Sequence, residues 1–267
     1  MGLVSLGLLP APRKIELGPR RARSWGPDRI QGPCSDRIRR AVARLPARGL
    51  VLEFEVEDPQ SPVPRLADSY EYRLSLGETA RPGGRVRIEA ATEWGALTAL
   101  ATLTQLVAKG AFDVSRVRDA PQYPWRGVMI DTVRHFISLE TLRRTLDVMA
   151  FYKLNVLHLH LTDDQGFRLA SANYPELASD EAYSAAELAD LVDYAADRAI
   201  RVVPEIDVPG HATSWLAAHP DWGVDGGRAV QGPSTRFGVH DVCLDIENAE
   251  VRRAVDTLLG ELAGVFP

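Results

Sequence analysis

Apolar and polar residues alternate along three stretches of the first half of the chain, LVLEFEVED (50–58), SYEYRLSL (69–76) and RVRIEAAT (85–92). A period of two sends successive side chains to opposite faces of a strand, so each stretch reads as half-buried. The clusters PQSPVP (59–64) and RPGG (81–84) separate them as turns do. From residue 93 the period changes. EWGALTALATLTQLVAKG (93–110) lines up Leu97, Leu100, Leu103 and Leu106 on one helical face, with Thr92 as N-cap and Gly110 as the stop. Residues 1–120 are therefore expected to form a small α+β domain, a sheet covered by a helix, with nothing in it that looks chemical.

RDAPQYPW (118–125) reads as a proline-marked linker, and beyond it one pattern occurs three times. A near-continuous apolar strand, RGVMID (126–131), leads to Ser138 as N-cap and a helix to about Lys153 with Leu142, Leu146 and Met149 inward. The second strand is NVLHLHL (155–161). Its helix opens at Ser184, where Glu187 three residues on completes a capping box, and carries Leu188, Leu191, Val192 and Ala195 inward. The third strand, IRVVPEI (200–206), precedes a long loop and a helix over 248–266 with Val251, Leu258, Leu259 and Leu262 as its apolar stripe.

Apolar strands alternating with amphipathic helices predict a parallel sheet in an α/β fold. Both a doubly wound sheet and a (β/α)8 barrel fit that pattern. The strand ends favour the barrel: Asp131, Arg134 and His135 follow the first strand, Asp163 and Asp164 the second, Glu205, Asp207 and His211 the third. Groups from several strand ends gathered on one face mark a barrel's active rim. No glycine-rich phosphate loop follows any of these strands, which counts against a nucleotide-binding sheet. The expected architecture is a domain over 1–120 and, over 121–267, an incomplete (β/α)8 barrel. A full barrel takes about 250 residues, so this length holds roughly the first three βα units.

Composition narrows the partners. A formal net charge of −5 argues against nucleic acid. No apolar run approaches the roughly 20 residues that span a bilayer, so no membrane partner is expected. The opening MGLVSLGLLPAPRK lacks a basic n-region and a small-residue cleavage site, and it reads as mature sequence of a cytoplasmic protein. Cys34 and Cys243 match no metal spacing and no disulfide framework.

The candidate chemistry lies at the strand tips. Asp163 and Asp164 could be a surface turn, except that charged groups recur at all three strand ends. His158 and His160, two apart, share one face of their strand and open a metal reading, for which only His211 offers a third histidine. Satisfied core histidines are the favoured alternative. In PEIDVPGH (204–211), Glu205 and Asp207 share a face, and His211 beside Asp163 would make a carboxylate–imidazole pair suited to tuning a general acid. Asp180 and Glu181 sit just before a capped helix, where the dipole favours them, and receive no catalytic role.

WRGVMIDTVRHF, YKLNVLHLHLTDDQGFRL and VVPEIDVPGH, in this order and spacing, resemble glycoside hydrolase family 20, the β-N-acetylhexosaminidases. LLPAPRKIEL and ATEWGALTALATLTQL extend the likeness to the α/β domain that precedes that family's barrel. The resemblance implies a retaining, substrate-assisted reaction in which the sugar's acetamido oxygen attacks the anomeric carbon to give an oxazolinium ion. One Asp polarises the acetamido group, and a neighbouring Glu protonates the leaving oxygen. It implies that Arg134 grips the 3- and 4-hydroxyls of the terminal sugar, that Asp163 and His211 support the general acid, and that Asp164 organises the turn. The catalytic Asp-Glu pair belongs to a run like His-x-Gly-Gly-Asp-Glu on the fourth strand, and no Gly-Gly-Asp-Glu occurs among the 267 residues.

The chain is therefore expected to be the N-terminal half of such an enzyme, inactive by itself. Its partner would be an N-acetylhexosamine-containing oligosaccharide or glycoconjugate, with no cofactor and no metal. Two other readings compete: a non-catalytic sugar-binding or scaffold protein, and a metal-dependent barrel hydrolase using His158 and His160.

Overall fold

The computed structural model describes residues 7–18, 29–32, 34–46, 50–58, 62–77, 85–110, 114–224, 230–236 and 238–267. The turn expected at 81–84, part of the one at 59–64, and the first six residues of the chain lie outside these. The chain divides into two compact units, Met1–Arg126 with Thr145–Asn155 and Ala195–Arg201, and Gly127–Arg144 with Val156–Tyr194 and Val202–Pro267.

The first unit holds a six-stranded sheet. Its strands are β1 (Lys14–Leu17), β2 (Arg29–Gln31), β3 (Val51–Asp58), β4 (Tyr72–Leu76), β5 (Arg85–Thr92) and β6 (Val114–Asp119), in the order β1-β6-β4-β5-β3-β2. The alternation read from the sequence places Phe54 opposite Ile88, Ile88 opposite Leu74 and Leu74 opposite Val117, a buried row across four strands. Each such side chain contributes roughly 1.5–3 kcal/mol by leaving water. On the opposite face Glu55 meets Arg87 and Glu53 meets Arg85, exposed pairs that keep that face soluble and add little stability.

Two helices belong to this unit, α1 (Asp36–Ala43) and α2 (Glu93–Ala108). Thr92 caps α2 as expected, accepting the Gly95 N–H at 3.2 Å, and Leu97, Leu100, Leu103 and Leu106 are all buried. Gly95 is required where it stands, because a Cβ there would lie 2.5 Å from the Glu71 carbonyl oxygen.

The expected linker at 118–125 is corrected at its start. Arg118 and Asp119 belong to β6, with Arg118 opposite Lys14 and Asp119 opposite Tyr72. β1 and β2 have only four and three residues, too few for an alternation to be read, and the apolar residues of β6 (VSRVRD) stand three apart and not two. Neighbouring strands supply their ladder instead.

The second unit is built on β7 (Gly127–Asp131), β8 (Val156–His160) and β11 (Arg201–Glu205), in the order β11-β8-β7. β7 and β8 run parallel, with Asp131 opposite His160. A small hairpin not foreseen in the sequence, β9 (Thr162–Asp163) with β10 (Gly166–Phe167), follows β8 at once. The helices that follow these strands are α3 (Leu139–Phe151), α4 (Ala185–Ala196), α5 (Thr213–Ala218) and α6 (Ala249–Val265), of which α3 from Thr145 on and the last two residues of α4 count with the first unit. At α4 the capping box forms: Glu187 Oε2 accepts the Ser184 N–H at 2.8 Å, and Ser184 Oγ accepts the Glu187 N–H at 3.3 Å.

On α6 the expected stripe needs one correction. Val251, Ala254, Leu258 and Leu262 are buried, while Leu259 is 51% exposed. At about 100° per residue Leu259 turns onto the flank of the stripe. Among the described residues no helix is long and apolar enough to cross a membrane.

α3 ends at Phe151, short of the expected Lys153, which takes a left-handed conformation with φ 61°. Glycine is the usual residue there. Lysine is kept because its Nζ is buried 2.9 Å from Asp119 Oδ2 and 3.0 Å from Tyr72 Oη, whose hydroxyl also meets Thr102 Oγ1 at 2.6 Å. Burial pulls the Lys153 ammonium below its ordinary pKa, against the opposing pull of Asp119. Replacing Lys153 by Met strands the Asp119 carboxylate and should cost about 3 kcal/mol in urea unfolding. Lys153→Met combined with Asp119→Leu should recover a substantial part of that loss; additive costs would show that the two groups are not coupled.

Candidate active site

Asp131, the last residue of β7, shapes the first part of the site. Its Oδ1 accepts the N–H groups of Val133 (2.9 Å) and Arg134 (3.1 Å), which turns the chain out of the strand. Its Oδ2 then takes Arg134 Nη1 at 2.8 Å. Burial alone would raise the Asp131 carboxyl, but these hydrogen bonds outweigh it and hold the group below its ordinary value. One carboxylate thus bends the loop and anchors the guanidinium that the loop carries.

Asp163 receives the second arm. It is only 1% exposed, yet its Oδ2 lies 2.5 Å from Arg134 Nη2 and 3.0 Å from His160 Nε2. Its Oδ1 accepts the Asp164 N–H at 2.6 Å and His211 Nδ1 at 2.9 Å. A buried carboxylate stays charged only with such partners. Burial works to raise its pKa, and the hydrogen bonds from Asp164, His211 and His160, with the Arg134 charge, bring it below the usual value.

His211 stands beyond Pro209 and Gly210 in the left-handed region, φ 53°, a conformation unusual for a residue with a Cβ. Its ring is 43% exposed, and its Nδ1 also lies 3.4 Å from Asp164 Oδ2. The hydrogen bond to Asp163 raises its pKa against a smaller effect of burial. Arg134, Asp163 and His211, predicted from three strand ends, therefore meet on the two oxygens of one carboxylate.

The histidines of β8 belong to the same cluster. Both face Glu205 on β11: His160 Nδ1 lies 2.5 Å from Glu205 Oε1, and His158 Nε2 pairs with Oε2. Burial would raise Glu205, but His160 and then His158 hold it below its ordinary value. Burial lifts Asp207 instead, helped by the nearby charge of Glu205 and opposed by His160. Two acids on one strand end are thus pushed in opposite directions. His160 with Glu205 and Asp207, and Asp163 with Asp207 and His211, could each bring three ligand atoms within 4.8 Å. A cation would have to displace hydrogen bonds that these groups already make to one another.

Asp164 is the turn-former expected from the sequence, and it does more. Its buried Oδ1 accepts the Thr213 N–H at 3.0 Å and the Thr213 hydroxyl at 2.5 Å, tying the hairpin to the start of α5. Sequence reasoning passed over Gln165, whose Oε1 accepts Arg134 Nε–H at 3.0 Å. It also passed over Arg168, a buried arginine whose Nε donates to the Thr132 carbonyl at 3.0 Å and whose Nη2 donates to that of Val133 at 2.8 Å. An arginine serving backbone carbonyls leaves no periodic signal. Asp180 and Glu181 are exposed, and so is His135.

A sequence model described as "Glycosyl hydrolase family 20, catalytic domain" matches residues 123–267, more than half of the chain. The "Beta-hexosaminidase subunit beta" of Mus musculus is 37% identical over 198 residues, 70% of this chain and 35% of that protein. The "Beta-hexosaminidase" of Emericella nidulans is 37% identical over 236 residues, 80% of this chain and 38% of that one. The chitobiase of Flavobacterium johnsoniae matches with a TM-score of 0.83 at 27% identity, covering 100% of this chain and 44% of its own. The β-N-acetylhexosaminidase of Streptomyces coelicolor A3(2) matches with a TM-score of 0.78 at 30% identity, covering 97% of this chain and 57% of its own. The chain thus spans 35–38% of those two curated relatives and 44–57% of those two solved ones. With the family model on the half that carries the strand-end cluster, and the α/β fold shared with solved members, this chain belongs to glycosyl hydrolase family 20.

Proposed function

We propose that the chain is part of an exo-acting β-N-acetylhexosaminidase that releases terminal, non-reducing, β-linked N-acetylhexosamine with retention of configuration. The observation that carries this reading is the meeting of Arg134 and His211 on the buried carboxylate of Asp163. In this proposal β7, β8 and β11 are the first three strands of a (β/α)8 barrel that follows a separate domain over 1–120. Burial supports it: β8 is buried along nearly its whole length, whereas most residues of β7 and β11 are only half-buried, as edges awaiting further strands would be.

The roles follow from chemistry. Arg134, its planar guanidinium held by Asp131, Asp163 and Gln165, grips two neighbouring sugar hydroxyls. The sugar's acetamido oxygen attacks the anomeric carbon, the glycosidic bond breaks, and an oxazolinium ion forms that water later opens. A carboxylic acid must protonate the departing oxygen. His211, kept protonated towards higher pH by Asp163, is placed to orient and tune that acid. Acid and acetamido-polarising aspartate are assigned to residues outside these 267, since no Gly-Gly-Asp-Glu occurs among them. Solved relatives from Streptomyces plicatus hold GlcNAc and a thio-N-acetylglucal, which supports the substrate class.

The 267-residue chain should release no chromophore from an aryl β-N-acetylglucosaminide above a blank. The same sequence extended through the Asp-Glu pair should release it, and turnover by the chain alone would sink the assignment of the acid. In the extended protein, Arg134→Lys should lower kcat/KM about tenfold or more, because an ammonium keeps the charge but loses the fork. Undiminished kcat/KM would remove Arg134 from the sugar site.

The His211 shift sets a pH test. Its folded pKa lies above the ordinary 6.5, so the folded chain holds this proton more tightly than the unfolded chain does. The resulting stability is present in full below about 6.5 and is lost as pH rises through the raised value. In an NMR titration the His211 midpoint should lie above 6.5 and fall in Asp163→Asn. A midpoint indifferent to that substitution would show that the pair does not form.

A further inference from the structure

Gln165 occupies the turn of the β9–β10 hairpin, and its side-chain amide is used at both ends. Oε1 accepts Arg134 Nε–H at 3.0 Å, while Nε2 donates to the Arg236 carbonyl at 2.8 Å. Only the oxygen of an amide can accept from a guanidinium, and only its nitrogen can donate to a carbonyl, so the two contacts fix which way the amide points. The Arg236 carbonyl is itself a hub. It also accepts from Ser234 Oγ at 3.2 Å and lies 3.3 Å from His240 Nε2. A second tie joins the same pieces, since the Ser234 N–H donates to the Asp164 carbonyl at 2.8 Å.

Asp131 and Asp163 already bring two negative charges to the guanidinium of Arg134. A third carboxylate at the Nε edge would over-compensate it. A neutral acceptor with a donor on its far side serves better, because it orients the arginine and clasps the loop together. We infer that Gln165 is a positioning residue which couples the seating of the Ser234–Arg236 segment to the orientation of Arg134, so that loop and sugar-gripping arginine are ordered as one unit. The inference rests on the reading of Arg134 as the sugar-gripping residue, and it adds a device that sets when that residue is ready to bind.

The test uses the whole 267-residue chain, labelled with 15N, and follows hydrogen exchange at Arg134 Nε–H, identified by its loss in Arg134→Lys. Gln165→Ala should speed that exchange about tenfold, as removal of one charge-assisted hydrogen bond does. Gln165→Glu should keep Arg134 Nε–H slow, since a carboxylate still accepts. It should speed exchange at the Ser234 N–H about tenfold, since a carboxylate cannot donate to Arg236. A residue that merely stabilised the hairpin would move both signals alike in both variants. If Gln165→Ala does not fold, Gln165→Met keeps the length of the side chain and serves in its place.

Unchanged Nε–H exchange in Gln165→Ala or Gln165→Met overturns the proposal, and so does a uniform response of both signals in Gln165→Glu. Titration with N-acetylglucosamine of the same sequence extended through the Asp-Glu pair, which carries the rest of the sugar site proposed above, keeps the two readings apart. Weakened binding in Arg134→Lys, with a smaller loss in Gln165→Ala, supports both. Unchanged binding in Arg134→Lys overturns the sugar role of the arginine, while the exchange measurements still decide the role of Gln165.

Discussion

A carboxylate removed from water must be surrounded by donors or it will not stay charged, and Asp163 is the place where this chain meets that requirement. Its two oxygens gather a guanidinium, two imidazoles and a backbone N–H from four different points of the sequence. None of those groups lies on the same strand end as all the others. The demand of one buried charge therefore fixes where the tips of β7, β8 and β11 stand with respect to one another, and taking away any donor leaves the remainder facing an uncompensated charge.

The local devices around it are economical. Asp131 uses one oxygen to turn the backbone and the other to hold the side chain that the turn delivers. Asp164 receives backbone and hydroxyl donors from Thr213, and Ser214 Oγ donates to the Asp163 carbonyl at 2.7 Å, so the entry to α5 is fastened to the hairpin. Rigid supports of this sort let a site keep its geometry while the surrounding loops vary. The opposite shifts of Glu205 and Asp207 arise in the same crowd, from burial set against histidine charge.

Under the function proposed above these contacts would hold an arginine still and an acid ready, which is what a sugar hydrolase that borrows its nucleophile from the substrate needs. Among the described residues, the groups of this cluster all belong to the second unit. The first unit has a buried polar network of its own, Lys153 with Asp119 and Tyr72.

By itself the sequence determined the strands and helices whose apolar period is long and regular: β3, β5, α2, β8 and α4 lie where the patterns put them, because burial on one face leaves a repeat that can be read residue by residue. It also flagged Arg134, Asp163 and His211 among the charged residues at the ends of apolar strands, and the resemblance to family 20 singled these three out. Tertiary structure decided the rest. The short strands β1 and β2, and β6 with its irregular apolar spacing, owe their existence to neighbours far along the chain. Leu259 was exposed by where the buried stripe of α6 falls. His158 and His160, ambiguous between core and ligand, were settled onto Glu205 by the strand beside them, and Gln165 acquired its two partners only when residues 134 and 236 came within reach. A side chain's hydrogen bond to a distant residue depends on three-dimensional distance, which no local period encodes.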